Sequence, residues 1–167
     1  MLLCLDVHYG DRGATATCVG FAKWTDAESV FEFVVRSSAT VEPYEPGQFY
    51  KRELPHLLTA LDRVPRGTDV EAVVVDAHVW LAPGKPGLGA HLYEALERSV
   101  PVVGVAKSEF HGSHAIPVVR GSSRHPLFVT AAGMDPERAA RLVREMHGPY
   151  RLPTLLKRAD SLARGEE

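Results

Sequence analysis

Three acidic residues are the first candidates for chemistry in this sequence. Asp6 interrupts an apolar segment, Glu53 stands among basic residues, and Asp76 directly follows a run of valines. An acid inside an apolar strand is costly unless it is paired or binds a metal. Mg²⁺ prefers a few carboxylates together with waters and substrate phosphate oxygens, and such a metal lowers the pKa of a bound water. The three acids therefore indicate phosphodiester hydrolysis, provided that the fold brings them together.

Each acid taken alone also has an ordinary structural interpretation. Glu53 is then an acid on a helix surface, paired with Lys51 or Arg52, and Asp76 caps the end of a strand. Asp6 is the hardest to explain in this way, because it lies within a core strand. The case for a metal site rests on all three converging.

The composition is that of one globular domain spanning residues 1–167. Hydrophobic residues make up 45% of the chain and charged residues 24%, and the formal net charge is −2. A nucleic-acid site must then be a local basic patch. Cys4 and Cys18 lie in apolar segments and are expected to be buried thiols in a reducing compartment. Without a signal peptide or an apolar run long enough to cross a membrane, we expect a cytoplasmic protein.

The elements that must position these acids follow from hydrophobic patterning and turn residues. The pattern predicts strands at 2–9, 14–24, 29–37, 70–75, 101–106 and 127–131, and helices at 49–63, 88–98, 135–146 and 154–164. Pro55 is expected near the start of the first helix, where proline is tolerated. Residues 82–87 are expected to form a loop, and residues 109–126 two short strands around a turn at 121–123.

This order is typical of an α/β fold of the ribonuclease H-like type. Its mixed sheet has three antiparallel strands followed by parallel ones, with helices on both faces. In that architecture the first and fourth strands are neighbours. Asp6 and Asp76 would then lie side by side, and Glu53 would approach them from the first helix.

Between the third strand and the first helix the sequence predicts a rigid loop. Pro43 and Pro46 restrict the backbone on either side of Tyr44, and Gly47 permits a sharp turn. A tyrosine on such a loop is expected to be exposed.

Taken together, these pieces resemble the endonuclease V family over nearly the whole chain. The matching blocks are Asp6-Val7-x-Tyr9, Pro43-Tyr44-x-Pro46-Gly47, Arg52-Glu53-x-Pro55, Asp76, Pro83, Gly87-Leu88, His91-Leu92, Gly104 to Ser108, Leu127 to Thr130, Tyr150 to Pro153 and Ala159-Asp160. Single blocks are weak evidence, but the combination is specific.

The resemblance implies a metal-dependent endonuclease that nicks DNA or RNA one nucleotide to the 3′ side of hypoxanthine. It implies Mg²⁺, with Mn²⁺ as the alternative, bound by Asp6, Glu53, Asp76 and Asp160. Lys107 would contact the phosphate near the cut. Tyr44 and its neighbours Pro43, Pro46 and Gly47 would fill the gap left by a flipped base, and Ala77, His78 and Ser108 would contact the substrate.

The sequence departs from the family mainly around the expected base pocket. Ala77 and Val79 stand where the family has glycines and are expected to add bulk there, while Ala82 replaces a histidine. His78 is a new polar group, either in the pocket or exposed. Only Met1 to Leu5 precede Asp6, so the family's usual N-terminal helical extension is expected to be absent.

Three hypotheses follow. The first is the nuclease described above, acting on structurally abnormal or damaged nucleic acid without an obligate protein partner or a membrane. The second is a nucleic-acid-binding relative that has lost cleavage or lesion choice. The third, favoured if the acids prove scattered, is an unrelated α/β protein. Three histidines form no regular zinc pattern and are expected to be solvated: His111, His114 and His125.

Overall fold

The computed structural model describes residues 1–11, 13–38, 43, 45 and 48–166. Within these residues, the strands of the main sheet are β1 Leu2–Gly10, β2 Gly13–Phe21, β3 Phe31–Ser37, β4 Ala72–Val75, β7 Val102–Ala106, β8 Ile116–Val118 and β9 Leu127–Ala132. A small separate hairpin is formed by β5 Trp80–Ala82 and β6 Lys85–Pro86. The helices are α1 Phe49–Leu61, α2 Leu88–Ala95, α3 Pro136–Glu145 and α4 Thr154–Arg164.

The described strands of the main sheet have the order β3-β2-β1-β4-β7-β9-β8. The β1–β2 and β2–β3 pairs are antiparallel, whereas β4 is parallel to both β1 and β7. The predicted mixed sheet, with the first and fourth strands adjacent, is therefore confirmed.

Apolar side chains cover both faces of this sheet. On one face, alternate residues of β1 such as Leu2 and Cys4 pack in a cluster with α3 and α4. On the other face, Leu3 and Leu5 pack with residues of α1 and α2. Cys4 and Cys18 belong to opposite clusters and are both free and buried, which agrees with the expected buried thiols.

Three local predictions were wrong. Among the described residues of 109–126 there is one strand, β8, and it forms a hairpin with β9. The segment predicted as a loop at 82–87 instead contributes to the β5–β6 hairpin. Pro55 lies in the interior of α1, where it removes the N–H that would bond to the Lys51 carbonyl.

The helix predictions at the C-terminal end are confirmed. Asp135 caps α3, its carboxylate accepting a hydrogen bond from the Arg138 N–H at 2.9 Å, and Pro136 occupies the first helical position. The helix α4 ends at Arg164 and is followed by Gly165, whose φ of 78° is the left-handed conformation that favours glycine. No described helix has both the length and the apolar character needed to cross a membrane.

Candidate active site

The register of the parallel strands brings the first two acids together. Leu5 of β1 lies opposite Val75 of β4, and this is the last pair of the register. Asp6 and Asp76 are the next residues on the two strands. They therefore lie side by side at the carboxyl end of β4, where the sites of open α/β sheets are found.

Glu53 reaches these two aspartates from α1, which is tied to β1 by Tyr9. The Tyr9 hydroxyl donates to the Arg52 carbonyl at 2.9 Å, and the Arg52 guanidinium lies 3.9 Å from the centre of the Tyr9 ring. The next residue, Glu53, is buried, with 8% of its surface exposed. Tyr9 thus fixes the turn of α1 that carries this carboxylate.

Asp6 and Glu53 are each destabilised in their charged forms. Burial is the main cause in both, and repulsion follows: from Asp76 and Asp160 at Asp6, and from Asp6 and Asp76 at Glu53. The pKa of Asp6 rises to about 7 and that of Glu53 to about 8. The mutual repulsion places these acids within one electrostatic cluster, so the hypothesis of scattered structural acids loses its support.

The other two acids already have cationic partners. Asp76 forms an ion pair with Lys107, Nζ to Oδ2, at 2.6 Å. Asp160 on α4 accepts from Lys157 at 2.7 Å and from Arg164 at 2.8 Å. Although burial opposes it, these partners and Lys107 lower the pKa of Asp160.

The cluster contains hard oxygen donors of the type that Mg²⁺ takes. As arranged here, however, the described residues include no group of three or more His, Cys, Asp or Glu side chains ready to hold a metal ion. The partner that Asp76 has instead is the Lys107 ammonium. The donor set fits a divalent cation chemically, and Asp6 and Glu53 are the carboxyls whose charged forms are least compensated by the protein.

A cavity of about 360 Å³ adjoins the cluster and shares Asp76 and Lys107 with it. Its other lining residues are Phe49, Tyr50, Ala77, His78, Leu81, Pro86, Gly87, Leu88, Ala106, Ser108 and Phe110. Tyr50 is held in place by stacking on His91 of α2, with ring centres 3.5 Å apart. The predicted substrate contacts Ala77, His78 and Ser108 are therefore brought together, and their roles stay predictions.

The expectation that Val79 adds bulk to this cavity was wrong, and Ala82 lies elsewhere. Val79 is fully buried in the core, and its N–H donates to the Thr130 hydroxyl at 2.8 Å. A Cβ on Gly89 would lie 2.6 Å from a Val79 methyl, so this glycine makes room for the valine. Ala82 lines a different cavity, beside Trp80. Neither residue narrows the cavity next to Asp76.

Two further predictions concern the rigid loop around Tyr44 and the three solvated histidines. Within the predicted rigid loop, Tyr44, Pro46 and Gly47 lie outside the described residues, whereas Pro43 is exposed. The histidines expected to be solvated are exposed: His111, His114 and His125.

Sequence reasoning missed the residues that hold the site in place. Tyr9 was noted only as part of a motif, as was Arg151, whose guanidinium donates to the carbonyls of Lys107 and Pro126. Both lie in blocks that carry the family resemblance, and that was the available signal. Arg120, which donates to carbonyls of the segment before Arg151, had no such signal.

Comparison with known proteins points to a single family. The family model described as Endonuclease V matches residues 1–133, which include Asp6, Glu53, Asp76 and Lys107 but not Asp160. Endonuclease V of Streptomyces avermitilis is 29% identical over 96% of this chain and 77% of its own length. Against several other curated members the chain spans 58%, 60% and 53% of their length.

Solved structures give the same fold. Human endonuclease V superposes with a TM-score of 0.80 at 24% identity, covering 98% of this chain and 82% of that chain. Ciona intestinalis endonuclease V, in complex with a 24mer DNA containing an inosine followed by a ribo-adenosine, has a TM-score of 0.80 at 16% identity and covers 98% and 84%. Because the family model matches most of its length, this chain belongs to the endonuclease V family, a family of phosphodiester-hydrolysing nucleases.

Proposed function

We propose that this protein is a divalent-metal-dependent endonuclease that cleaves DNA or RNA near a deaminated, inosine-type or structurally abnormal nucleotide. One observation carries the proposal: the carboxylates from β1, α1, the end of β4 and α4 form one electrostatic cluster, and a cavity opens directly beside it. Cleavage chemistry and base recognition would then take place at adjoining positions.

In this proposal Asp6, Glu53 and Asp76 hold the cation, and Asp160 lies near it. When bound, a divalent cation activates water and offsets charge on the phosphate and leaving oxygens. Asp6 and Glu53 repel each other in a largely buried setting, so a cation between them would relieve that repulsion. Mg²⁺ is the proposed metal because all the donors are hard oxygens, with Mn²⁺ as the alternative.

Lys107 is proposed to contact the phosphate next to the cut. Its side chain is 39% exposed, pairs with Asp76 and also lines the cavity. An ammonium in that position is a point charge suited to a phosphate oxygen. A cation held by Asp76 would replace the Lys107 ammonium as its partner and would leave that ammonium beside it for a phosphate oxygen.

The cavity beside Asp76 is proposed to hold the altered base. Its volume of about 360 Å³ suits a small planar group, and Phe49 and Phe110 give it aromatic walls for stacking. The inosine-containing DNA bound by the Ciona relative supports an inosine-type base here. Tyr44 keeps its proposed role as the residue that fills the gap in the strand.

A second, more polar cavity of about 500 Å³ lies at the far end of α4. His8, Thr15, Arg36 and Arg164 line it, and Arg164 also bonds to Asp160 of the cluster. The strand beyond the cleaved bond is proposed to follow this groove, where the arginines would meet its phosphates.

The test is a cleavage assay on labelled single- and double-stranded DNA and RNA, each with and without one inosine. Mg²⁺, Mn²⁺ and EDTA are compared, with the variant Asp76→Ala and, as a matched control, Glu28→Gln at an exposed site. We expect a nick close to the inosine that is lost with EDTA and in Asp76→Ala. Cutting that ignores inosine would overturn the base assignment alone, and no cutting with any metal would overturn the enzyme.

One observation favours the second candidate, a binding relative without lesion-specific cleavage. Lys107 already neutralises Asp76, and the described acids do not form a ready metal group. Calorimetric titration of the free protein with Mg²⁺ and with Mn²⁺ distinguishes the two candidate functions. Saturable binding that disappears in Asp6→Asn supports the nuclease, whereas nucleic-acid binding without metal uptake supports the relative.

A further inference from the structure

The backbone at Lys107 and Ser108 is held by two side chains from distant parts of the chain. Arg151 donates to the Lys107 carbonyl, and it also donates to the Pro126 carbonyl at 2.8 Å. The Nε2 atom of the His78 ring lies 2.9 Å from the Ser108 carbonyl oxygen. Both residues at the end of β7 are exposed, so these two contacts fix a backbone that burial does not hold.

The segment that carries Arg151 is held by hydrogen bonds from the buried side chain of Arg120. The Arg120 side chain is buried, 5% exposed, and donates to the carbonyls of Met146, Gly148, Tyr150 and Arg151. No ion pair to Arg120 is found among the described residues. Its two terminal nitrogens donate only to carbonyls of the connecting segment 146–151, whereas its Nε is buried without a hydrogen-bond partner. Because all of its hydrogen bonds go to one segment, this buried charge orders that segment.

Gly121 brings the same segment close from the other side. Its φ is 58°, and a Cβ built on it would lie 2.0 Å from the Pro149 carbonyl oxygen. The backbone of residue 149 therefore lies too close to Gly121 for any side chain at position 121. Residues 120 and 121 together therefore fix where segment 146–151 lies, and with it the Arg151 side chain.

We propose that Arg151 is a positioning residue for the cleavage reaction: it holds the Lys107 backbone so that the Lys107 ammonium stays at the edge of the cavity beside Asp76, where the phosphate is proposed to bind, and Arg120 fixes the segment that carries Arg151. The proposal rests on the proposed function for its effect on cleavage. Its structural part, the placement of the Lys107 amine, stands independently of any activity.

The first experiment measures that placement directly in metal-free protein. Brief acylation with acetic anhydride, read by peptide mass spectrometry, reports how accessible each lysine amine is. In Arg151→Ala we expect Lys107 to react about two- to fivefold faster, the factor that follows from loss of a partly exposed ion pair. Lys23 and Lys51 serve as internal controls and should not change.

The second experiment is a kinetic cycle with Arg151→Ala, Lys107→Ala and the double variant. If Arg151 acts through Lys107, its removal lowers kcat roughly tenfold with little change in KM, and has almost no further effect once Lys107 is absent. Arg151→Lys, which keeps a donor, should restore part of kcat. Arg158→Ala removes an arginine of the surface pair with Glu32 and is the matched control.

Thermal unfolding of each variant separates positioning from loss of fold. Gly121→Ala adds a second route, because it displaces segment 146–151 without removing a polar group, and it should also raise Lys107 reactivity. Unchanged Lys107 labelling in a folded Arg151→Ala, or additive losses in the cycle, would overturn the proposal. Absence of cleavage in the unaltered protein would overturn the proposed function. The labelling result would then decide whether Arg151 positions Lys107.

Discussion

Glu53 and Asp160 are two buried carboxylates of one cluster with opposite electrostatics. Their exposed fractions are nearly equal, 8% and 6%. The pKa of Glu53 is raised to about 8 by burial and by repulsion from Asp6, while the pKa of Asp160 is lowered by its contacts with Lys157 and Arg164. Two residues with similar exposure therefore have opposite preferences for charge.

The difference shows that cationic partners outweigh burial at Asp160, whereas burial and repulsion dominate at Glu53. Asp160 brings its cations on its own helix, three and four residues away, so its charge is settled when α4 forms. Glu53 and Asp6 receive too little positive charge from the described residues to offset burial. This is the side of the cluster where an external cation would be held.

The strongest test of this contrast is cleavage by variants that remove charge while keeping shape. We expect Asp6→Asn and Glu53→Gln to lower kcat about a hundred- to a thousandfold, since a metal contributes several kcal/mol to the transition state. The measurement is single-turnover cleavage of inosine-containing strands in Mg²⁺.

Glu32→Gln is the control for that experiment. Glu32 pairs with Arg158 at a partly exposed position and is not one of the carboxylates of the cluster, so its loss should leave kcat nearly unchanged. If Asp160→Asn proved more damaging to cleavage than Glu53→Gln, the cation would not be held on the side of the cluster formed by Asp6 and Glu53.

The placement of Asp6 beside Asp76 was predictable from the sequence. A run of valines ending in Asp76 predicts a buried parallel strand, and strand order then places it beside the strand carrying Asp6. Both signals are local patterns combined with one topological rule. The convergence of Glu53 followed from the helix that the same order requires.

The packing around the cluster was not predictable in the same way. Val79 was expected in the cavity, yet it is buried against Gly89. The segment that follows β4 packs closely on Gly89 and Gly104, where a side chain would collide with it. The Arg151 contact to Lys107 joins residues 44 positions apart. Such contacts depend on side-chain volumes and distances across elements, and these leave no periodic pattern in a single sequence.

The raised pKa values predict how the metal-free protein responds to pH. A carboxyl with a raised folded pKa contributes stability below its unfolded pKa, and that contribution is lost as pH rises through the folded value. For Glu53 the window runs from 4.5 to about 8, and for Asp6 from 3.8 to about 7. In EDTA, we therefore expect thermal stability to fall between pH 5 and pH 9, and Mg²⁺ to restore it at pH 9.

Glu53→Gln sharpens that prediction because it removes the charge without changing the size of the side chain. At pH 9 in EDTA we expect a gain of about 1–2 kcal/mol, or roughly 2–8 °C in Tm, and almost none at pH 5. Differential scanning calorimetry at the two pH values measures it. A loss of stability at pH 9 would mean that the ionised carboxylate has a partner in the free protein.

Asp160→Asn should have the opposite sign and the smallest effect. A lowered folded pKa contributes stability above the unfolded value of 3.8, which is lost only as pH falls through the folded value. At neutral pH the variant loses both ion pairs, but Lys157 and Arg164 are about half exposed, so solvent screening limits the cost to about 0.5–1 kcal/mol. Tm should therefore fall by roughly 1–4 °C at pH 7 and converge with the unaltered protein in strong acid. Glu28→Gln, at an exposed position, is the control. A rise in Tm for Asp160→Asn would show that burial outweighs the partners at this carboxylate too, and the two sides of the cluster would then be alike.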